Sequence, residues 1–416
     1  MRADNVKNKL FLKMVSLDKI IQDFLIERYY FPAKGKRPPS FPYGFFEKGV
    51  AELSLSFTSD RGSLTKNYFN QKELRSGYIA YFLLVNALKI PPLLRQAPAD
   101  SWPDTKEPIK ILDLGSGPGT GLLGSLLFFT KASIHYTAVD QNSAILEEAR
   151  LLHQKLSPHF PLPSKFRSVK TDLEREPLPA FLHHDRYDLI LMVNTLNEIF
   201  HPEKRRNMLI RLLNHHLTPQ GKILIVEPAL RKTTLELMEL HDALLSSENP
   251  QNIPITIAPC THQRLCPMLK ENRRDWCHTY IEWEPTEMIE EFDQRIGIRK
   301  DYLKCSYLIL AGSDRDGWRG SGARPSGTGE HGWAEPETGP VPSWRVVSSL
   351  MRSNGKSEVV LCGEESAKSG QLLHTERLDR DRSPMNTPFD RLKRGYIVEM
   401  EAIKRVEKET PLKIIS

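Results

Sequence analysis

Cysteine is scarce, with five in 416 residues. That number is odd and far too small for a disulfide scaffold, which leaves thiols in a reducing compartment, binding metal or simply packing. Long apolar runs are missing too. No stretch approaches the roughly 18 consecutive apolar residues that span a bilayer. The oiliest run near a motif, LLGSLLFF at 122–129, is the size of a core helix, so no membrane association is expected. The N-terminus has no basic start leading into an apolar core and a small-residue cleavage site, so no secretory signal is read there. A mitochondrial transit peptide is poor in acids, whereas Asp4, Asp18, Asp23 and Glu27 stand in the opening segment. The expectation is a cytoplasmic, bacterial-type protein, with the mitochondrial matrix as the alternative. Core material is not lacking: 39% hydrophobic and 26% charged residues mark an ordinary globular chain. Its length allows two to four domains at roughly 100–200 residues each.

The formal charge of +6 is unevenly spread. Residues 1–110 carry 18 Lys and Arg against 11 Asp and Glu, which leaves the remainder close to neutral. A basic leading domain suits RNA phosphates or an acidic partner, and equally a solvated helical surface.

Periodicity divides the chain. Residues 1–105 read as a helical N-terminal domain, because 17–31 and 72–90 repeat apolar residues at three- and four-residue spacing. Pro91, Pro92, Pro98 and Pro103 mark a connector. From Lys110 short apolar runs (109–114, 134–139, 166–171, 187–193, 222–227) alternate with amphipathic stretches such as 142–156, where Asn142 is a reasonable N-cap. This alternation predicts a parallel sheet with helices on both faces over residues 106–311, carrying a cysteine-rich insertion at about 255–280. Tyr302 to Leu310 reads as a further strand closing the sheet. Eight Gly and four Pro within 312–342 predict a linker. Residues 343–416 read as a β-rich module in which 344–350 and 357–363 flank a turn at Asn354-Gly355, with a helical tail around 387–409.

The segment ILDLGSGPGTG (111–121) has a strand before it and a helix after it. Gly119, Gly121 and Gly124 satisfy the dinucleotide spacing, but they begin five residues beyond the strand, whereas that fingerprint places its first glycine in the tight turn. Counting from Gly115 puts Thr120 where the third glycine belongs. Chemistry separates the ligands further. A pyrophosphate at the helix N-terminus is an anion, and Asp113 would set a carboxylate beside it. S-adenosylmethionine carries an ammonium and a sulfonium and no phosphate, so a carboxylate before Gly115, Gly117 and Gly119 suits it. Asp140, ending the second strand, is placed to accept both ribose hydroxyls, and Asp172, after the third, to receive the adenine amino group. The bland alternatives are a glycine turn without a ligand, a helix cap at Asp140 and a turn residue at Asp172. Asn194, opening Asn194-Thr195-Leu196-Asn197-Glu198 after the fourth strand, stands where such folds hold ligands. Amino-group methyltransferases carry Asn/Asp-Pro-Pro-aromatic there, and this chain does not. Neither that loop nor EPAL at 227–230 holds a cysteine nucleophile. Glu198 is a candidate base, although a carboxylate at a helix start is the simpler reading. No catalytic residue is named.

Cys260, Cys266 and Cys277 fall within 259–278, among polar neighbours and flanking prolines, unlike Cys305 in KCSYLIL. Such a set points to metal, with Cys362 offering a fourth thiolate through folding. Spacing alone does not separate iron–sulfur from zinc, since His262 or His278 would complete a Cys₃His site.

Together with DLGSGPGTG, NTLNE, CSYLIL and VVLCG, the Pro-Cys…Cys-Pro…Asp-Trp-Cys-His pattern resembles the methyltransferase-like assembly factors of the small ribosomal subunit. That family is known best from mitochondria and has bacterial relatives. The resemblance spans about 65–400, with 312–342 as an insertion. It implies an α/β, class I (Rossmann-like) S-adenosylmethionine-dependent methyltransferase fold. It also implies a [4Fe–4S] cluster on Cys260, Cys266, Cys277 and Cys362, with Cys305 left as core, and binding to small-subunit rRNA and ribosomal proteins. The resulting expectation is a monomeric S-adenosylmethionine-binding, iron–sulfur-containing factor that binds or methylates rRNA during subunit assembly. Its rivals are a non-catalytic assembly factor and a zinc-stapled small-molecule methyltransferase.

Overall fold

The computed structural model describes residues 17–31, 38–58, 68–103, 106–175, 182, 185–199, 201–249, 252–271, 275–312 and 341–415. Strands β1 (Ile109–Leu114), β2 (Ile134–Asp140), β3 (Ser164–Lys170), β4 (Tyr187–Val193) and β5 (Leu217–Glu227) pair in parallel. Every residue of β4 is buried, as expected of a strand covered on both faces, while the edge strand β3 is mostly open. With β6 (Ile255–Ala258), β7 (Thr279–Ile281) and β8 (Leu303–Ala311), the order is β3-β2-β1-β4-β5-β8-β6, and β7 pairs with β8. Strand β8 runs antiparallel between β5 and β6. This is a doubly wound sheet whose order reverses between β1 and β4, opening a crevice beyond their carboxyl ends. With its antiparallel strand beside β5, it has the class I methyltransferase architecture.

Helices α1 (17–29), α2 (Tyr43–Thr58) and α3 (Lys72–Leu94) cover one face. They share a single core with the sheet, in which Leu25, Tyr81, Ile111 and Leu122 are all buried. Helix α2 was not read from the sequence, because its SLSF run lacks a clean apolar stripe. Helix α3 is long and apolar enough to cross a membrane, contrary to the expectation that no segment would be. Nearly nine tenths of that window is buried within the protein, which accounts for its composition. It contains a π-helical turn at Tyr78–Phe82. The second face packs a separate core, including Leu212, Leu240, Ile190 and Ile223. Of the 18 basic and 11 acidic residues in 1–110, nine basic and three acidic ones lie outside the described residues. The expected basic surface therefore rests mostly on residues outside the described helices.

Helices α4 (Thr120–Phe128) and α5 (Ser143–Leu156) follow β1 and β2. Asn142 caps α5, its side chain accepting from Ala144 N and Ile145 N. Glu148 of α5 is 1% exposed and lies 3.2 Å from Arg28 of α1 and 3.4 Å from Arg75 of α3. One buried carboxylate thus ties two N-terminal helices to the sheet's own helix.

A second sheet forms from β9 (Ser343–Val346), β10 (Met351–Ser353), β11 (Lys356–Cys362), β12 (Leu373–Leu378), β13 (Ile397–Glu399), β14 (Arg405–Val406) and β15 (Lys413–Ile414). Its core includes Trp344, Leu361, Phe389 and Val398. The turn at Asn354-Gly355 joins β10 to β11, with Gly355 at φ +82°, but 344–350 is not one strand. Strand β9 ends at Val346, and Val360 N donates to Ser348 Oγ, so a side chain takes over the ladder bond beyond it. The expected helical tail at 387–409 is instead a 3₁₀ turn (Thr387–Arg391) followed by β13 and β14. Pro388 and Gly395 (φ +96°) break a helix there, while Val398 and Val406 fill the sheet's core. Residues 313–340, with Trp318 and Trp333 of the expected linker, lie outside the described residues.

Removing one partner of a buried ion pair leaves the other uncompensated. Glu148→Ala is therefore expected to destabilise the chain by about 3 kcal/mol. Urea unfolding should show a lower midpoint at unchanged slope, and an unaltered midpoint would refute the buried-staple role.

Candidate functional site

At the end of β1 the chain turns through Gly115 (φ +73°), Gly117 (φ +53°) and Gly119 (φ +104°) into α4. Side chains rarely adopt these conformations. Gly115 is also crowded, since a Cβ there would stand 2.4 Å from Thr195 Oγ1 of the loop after β4. At Gly117 nothing among the described residues lies within 4 Å of that position, so the backbone is open there.

Asp113 sits beneath this turn at 1% exposure. It accepts a hydrogen bond from Tyr136 Oη at one oxygen, and its Oδ1 has no partner among the described residues. Burial pushes its pKa up to about 7, opposed by the Tyr136 bond and reinforced by Asp140. Asp140 Oδ2 accepts from Gly117 N at 3.0 Å and its Oδ1 from Asn142 N at 2.9 Å. The residue expected to receive ribose hydroxyls thus also clamps the glycine turn. Asp172 Oδ1 accepts from Glu174 N at 2.9 Å, and its other oxygen lies 3.6 Å from Arg175. It forms a local turn next to Thr171, whose N–H donates to Asp140 O. Asn194 is the one non-glycine residue at positive φ (+59°) among the described residues. Its N–H donates to Val226 O at 2.7 Å. Leu196 N donates to Glu227 Oε1 at 2.9 Å. The structure brings Asp113, the glycine turn, Asp140 and the 194–198 loop together at the crevice, with Asp172 at its margin.

Sequence reasoning missed three residues here. Tyr136 reaches Asp113 only through strand pairing. Tyr78 extends from the π-turn of α3 to within 3.5 Å of Thr120 Oγ1 and is influenced by Glu198 and Asp113. Glu227 orients the 194–198 loop. Only the glutamate ending the apolar run at 223–226 was a signal in the sequence.

The cysteines occupy a second region. Cys260 and Cys266 lie between β6 and the short helix Pro267–Glu271, Cys277 just before β7, and Cys362 at the end of β11. Cys266, Cys277 and Cys362 join one small apolar cluster with Met238, Met268 and Leu372. Burial pushes the Cys260 thiol well up, with Cys266, Cys277 and Cys362 each adding to the effect. Cys266 rises to about 12 for the same first reason. Cys266, Cys277 and Cys362 share one cluster and Cys260 feels the charge of all three, although among the described residues no group of three or more His, Cys, Asp or Glu stands at metal-ligating spacing. His262 Nε2 lies 3.6 Å from Cys362 Sγ, and burial drives that imidazole down to about 4. His278 instead contacts Trp276 O, and Cys305 is buried inside β8. Arg264–Glu364 at 2.7 Å and the Arg394–Asp275 pair bind the cysteine segment to the second sheet.

The raised pKa of Asp113 has a consequence for stability. The unfolded chain releases this proton near the ordinary 3.8, whereas the folded chain holds it to about 7. Stability contributed at low pH is thus lost as pH rises across that window. Asp113→Asn keeps an acceptor for Tyr136 and removes the titration. Its urea-unfolding free energy should fall less than wild type's between pH 4 and 7, and parallel profiles would contradict the assignment.

The family described as mitochondrial small ribosomal subunit Rsm22 matches residues 93–374. No curated protein matches the chain. Among solved structures, the mitomycin 7-O-methyltransferase MmcR is 15% identical at a TM-score of 0.29, covering 48% of this chain and 56% of its own. A TehB-like SAM-dependent methyltransferase from Corynebacterium glutamicum is 15% identical at 0.28, covering 55% and 87%. The plantazolicin methyltransferase BpumL in complex with SAH is 18% identical at 0.27, covering 64% and 96%. At such scores these likenesses add nothing to the strand order, which carries the fold assignment by itself. The family match spans well over half of the sequence, and the chain belongs to the mitochondrial small ribosomal subunit Rsm22 family.

Proposed function

We propose that this chain is an S-adenosylmethionine-binding, iron–sulfur-containing monomer that acts on the rRNA of the small ribosomal subunit during assembly. The observation that carries the reading is the meeting of Cys260, Cys266 and Cys277 with Cys362 from a different sheet, within a family described by its place in that subunit. The description names the mitochondrial subunit, which supports the alternative of the mitochondrial matrix over the expected cytoplasmic location.

The residues present suit both groups. Among the described residues, one buried oxygen of Asp113 has no partner and Gly117 has open space at the helix N-terminus. A ligand bearing an ammonium and a sulfonium would draw the Asp113 proton off and ionise it. S-adenosylmethionine bound there would supply an electrophilic methyl group. Asp113, Asp140 and the glycine turn would orient it, with Asp172 and Asn194 flanking. At the second region the donor set is soft and largely buried, as iron–sulfur clusters require. Cys260, Cys266, Cys277 and Cys362 would hold a [4Fe–4S] cluster and shed their protons on loading. Zinc is the competing occupant, with His262 replacing one thiolate.

One observation favours a binding role without catalysis. The 194–198 loop offers neither an Asn/Asp-Pro-Pro-aromatic grip nor a thiolate, and Thr195 and Leu196 spend their polar atoms on Leu114 O and Glu227.

Anaerobically purified chain should contain about four irons with matching sulfide, as a four-cysteine cubane does, and Cys260→Ser and Cys362→Ser should lose both. One zinc without sulfide would refute the cluster. On isolated small subunits, wild type should transfer labelled methyl groups while Gly117→Arg and Asp113→Ala do not. Full rescue of subunit maturation by both variants, despite lost cofactor binding, would leave only the non-catalytic role.

A further inference from the structure

Arg345 is the least expected residue of the second region. It stands in WRVV, an otherwise apolar strand, at 2% exposure. Strand pairing sets it directly opposite Cys362 across β9 and β11, so the two side chains leave the same face of the sheet. Its guanidinium lies 5.7 Å above the Tyr307 ring, and Nη1 donates a 3.4 Å bond to Gly395 O. Nε and Nη2 have no hydrogen-bond partner among the described residues. Burial opposes its charge, but Tyr307, Cys277 and Cys260 together hold the proton on firmly. The other buried arginine of this sheet, Arg377, differs in having a carboxylate partner, Asp390 at 2.5 Å. A fixed cation with no carboxylate partner among the described residues, buried beside Cys362, is costly in the unloaded chain.

We infer that Arg345 is the charge partner of an anionic metal–thiolate centre held by the four cysteines. This deepens the cluster reading and rests on it. Four thiolates around a cubane leave a net negative charge in a low-dielectric seam, where a fixed guanidinium offsets it and donates to sulfur. When one electron enters from a titrant such as dithionite, the negative charge grows, and Arg345 stabilises the reduced form. No proton moves at Arg345 itself. The arginine is a positioning and charge-setting residue and not a ligand.

The test is a redox titration of the anaerobically purified full chain, followed by visible absorption and electron paramagnetic resonance. Arg345→Gln keeps N–H donors and loses the charge, while Arg345→Lys keeps the charge. Arg377→Gln serves as a control that removes a buried cation far from the cysteines. Arg345→Gln should lower the reduction equilibrium constant at least tenfold, which is 59 mV for a one-electron couple. Arg345→Lys and Arg377→Gln should stay within threefold of wild type. An iron-replete Arg345→Gln with an unchanged potential would overturn the inference, whatever happens to its melting temperature. Should Arg345→Gln fail to retain iron, retention by Arg345→Lys supports the charge role. Loss from both, with the fold intact by circular dichroism, shows mere packing and overturns it. Wild type free of iron and sulfide would instead sink the cluster reading itself, and this inference with it.

Discussion

The seam between the two sheets is the constraint on which the architecture turns. Each sheet has its own apolar core, but the surface where they meet holds thiols, a neutral histidine, thioethers and a guanidinium. Apolar burial there is limited to a small cluster, so the seam depends on directed contacts. Arg264 pairs with Glu364, Arg394 holds Asp275 and the carbonyl of Trp276, and Leu372 N donates to Glu271. Arg394 is buried, so its pair with Asp275 is stabilising only while both partners are in place. A seam of this kind does not tolerate sliding.

That rigidity reaches the crevice of the first sheet. Trp276, next to Cys277, donates its indole N–H to Ala229 O at 2.9 Å. Ala229 lies two residues after Glu227, whose carboxylate fixes Leu196 N, and Asn194 adopts its left-handed conformation two residues before that. A non-glycine residue at positive φ persists only where its surroundings over-determine it. Here the constraint comes from the β5 end on one side and Thr195, bonded to Leu114 O, on the other. The cysteine segment therefore braces the loop that faces the glycine turn, through consecutive hydrogen bonds.

Local pattern made the first sheet readable. Apolar runs punctuated by amphipathic helices announce parallel strands, and glycines at a strand end announce a ligand turn, because both signals lie within about ten residues of sequence. The places where reading failed are those decided by distant partners. Tyr136 meets Asp113 through register, and Arg345 meets Cys362 across a strand pair more than a dozen residues apart in sequence. The expected helical tail at 387–409 mixes both charge signs. Those charges instead reach sideways, Arg382 to Asp390 and Arg405 to Asp381, a pattern with no helical period. The hairpin turn stands where it was expected, but its first strand is interrupted after Val346, where Ser348 Oγ accepts the bond from Val360 N.

Asp140, proposed to receive the ribose, has contacts that its place in the sequence does not announce. Its position at the end of β2 follows from the fold class, but its bonds to Gly117 N and Asn142 N do not. With both oxygens already engaged, a ribose would have to share or displace backbone donors. An ionised carboxylate has lone pairs enough for both kinds of donor. The same residue can then hold the turn closed without a ligand and grip the ligand when present, so the glycine turn is preorganised at little further cost. Asp113 is the opposite case. Its Oδ1 has no partner among the described residues and burial raises its pKa, so a cationic ligand of the proposed kind would satisfy it. One carboxylate supplies shape and the other supplies charge, and the same division recurs in the seam, where the cysteines supply shape and Arg345 the charge.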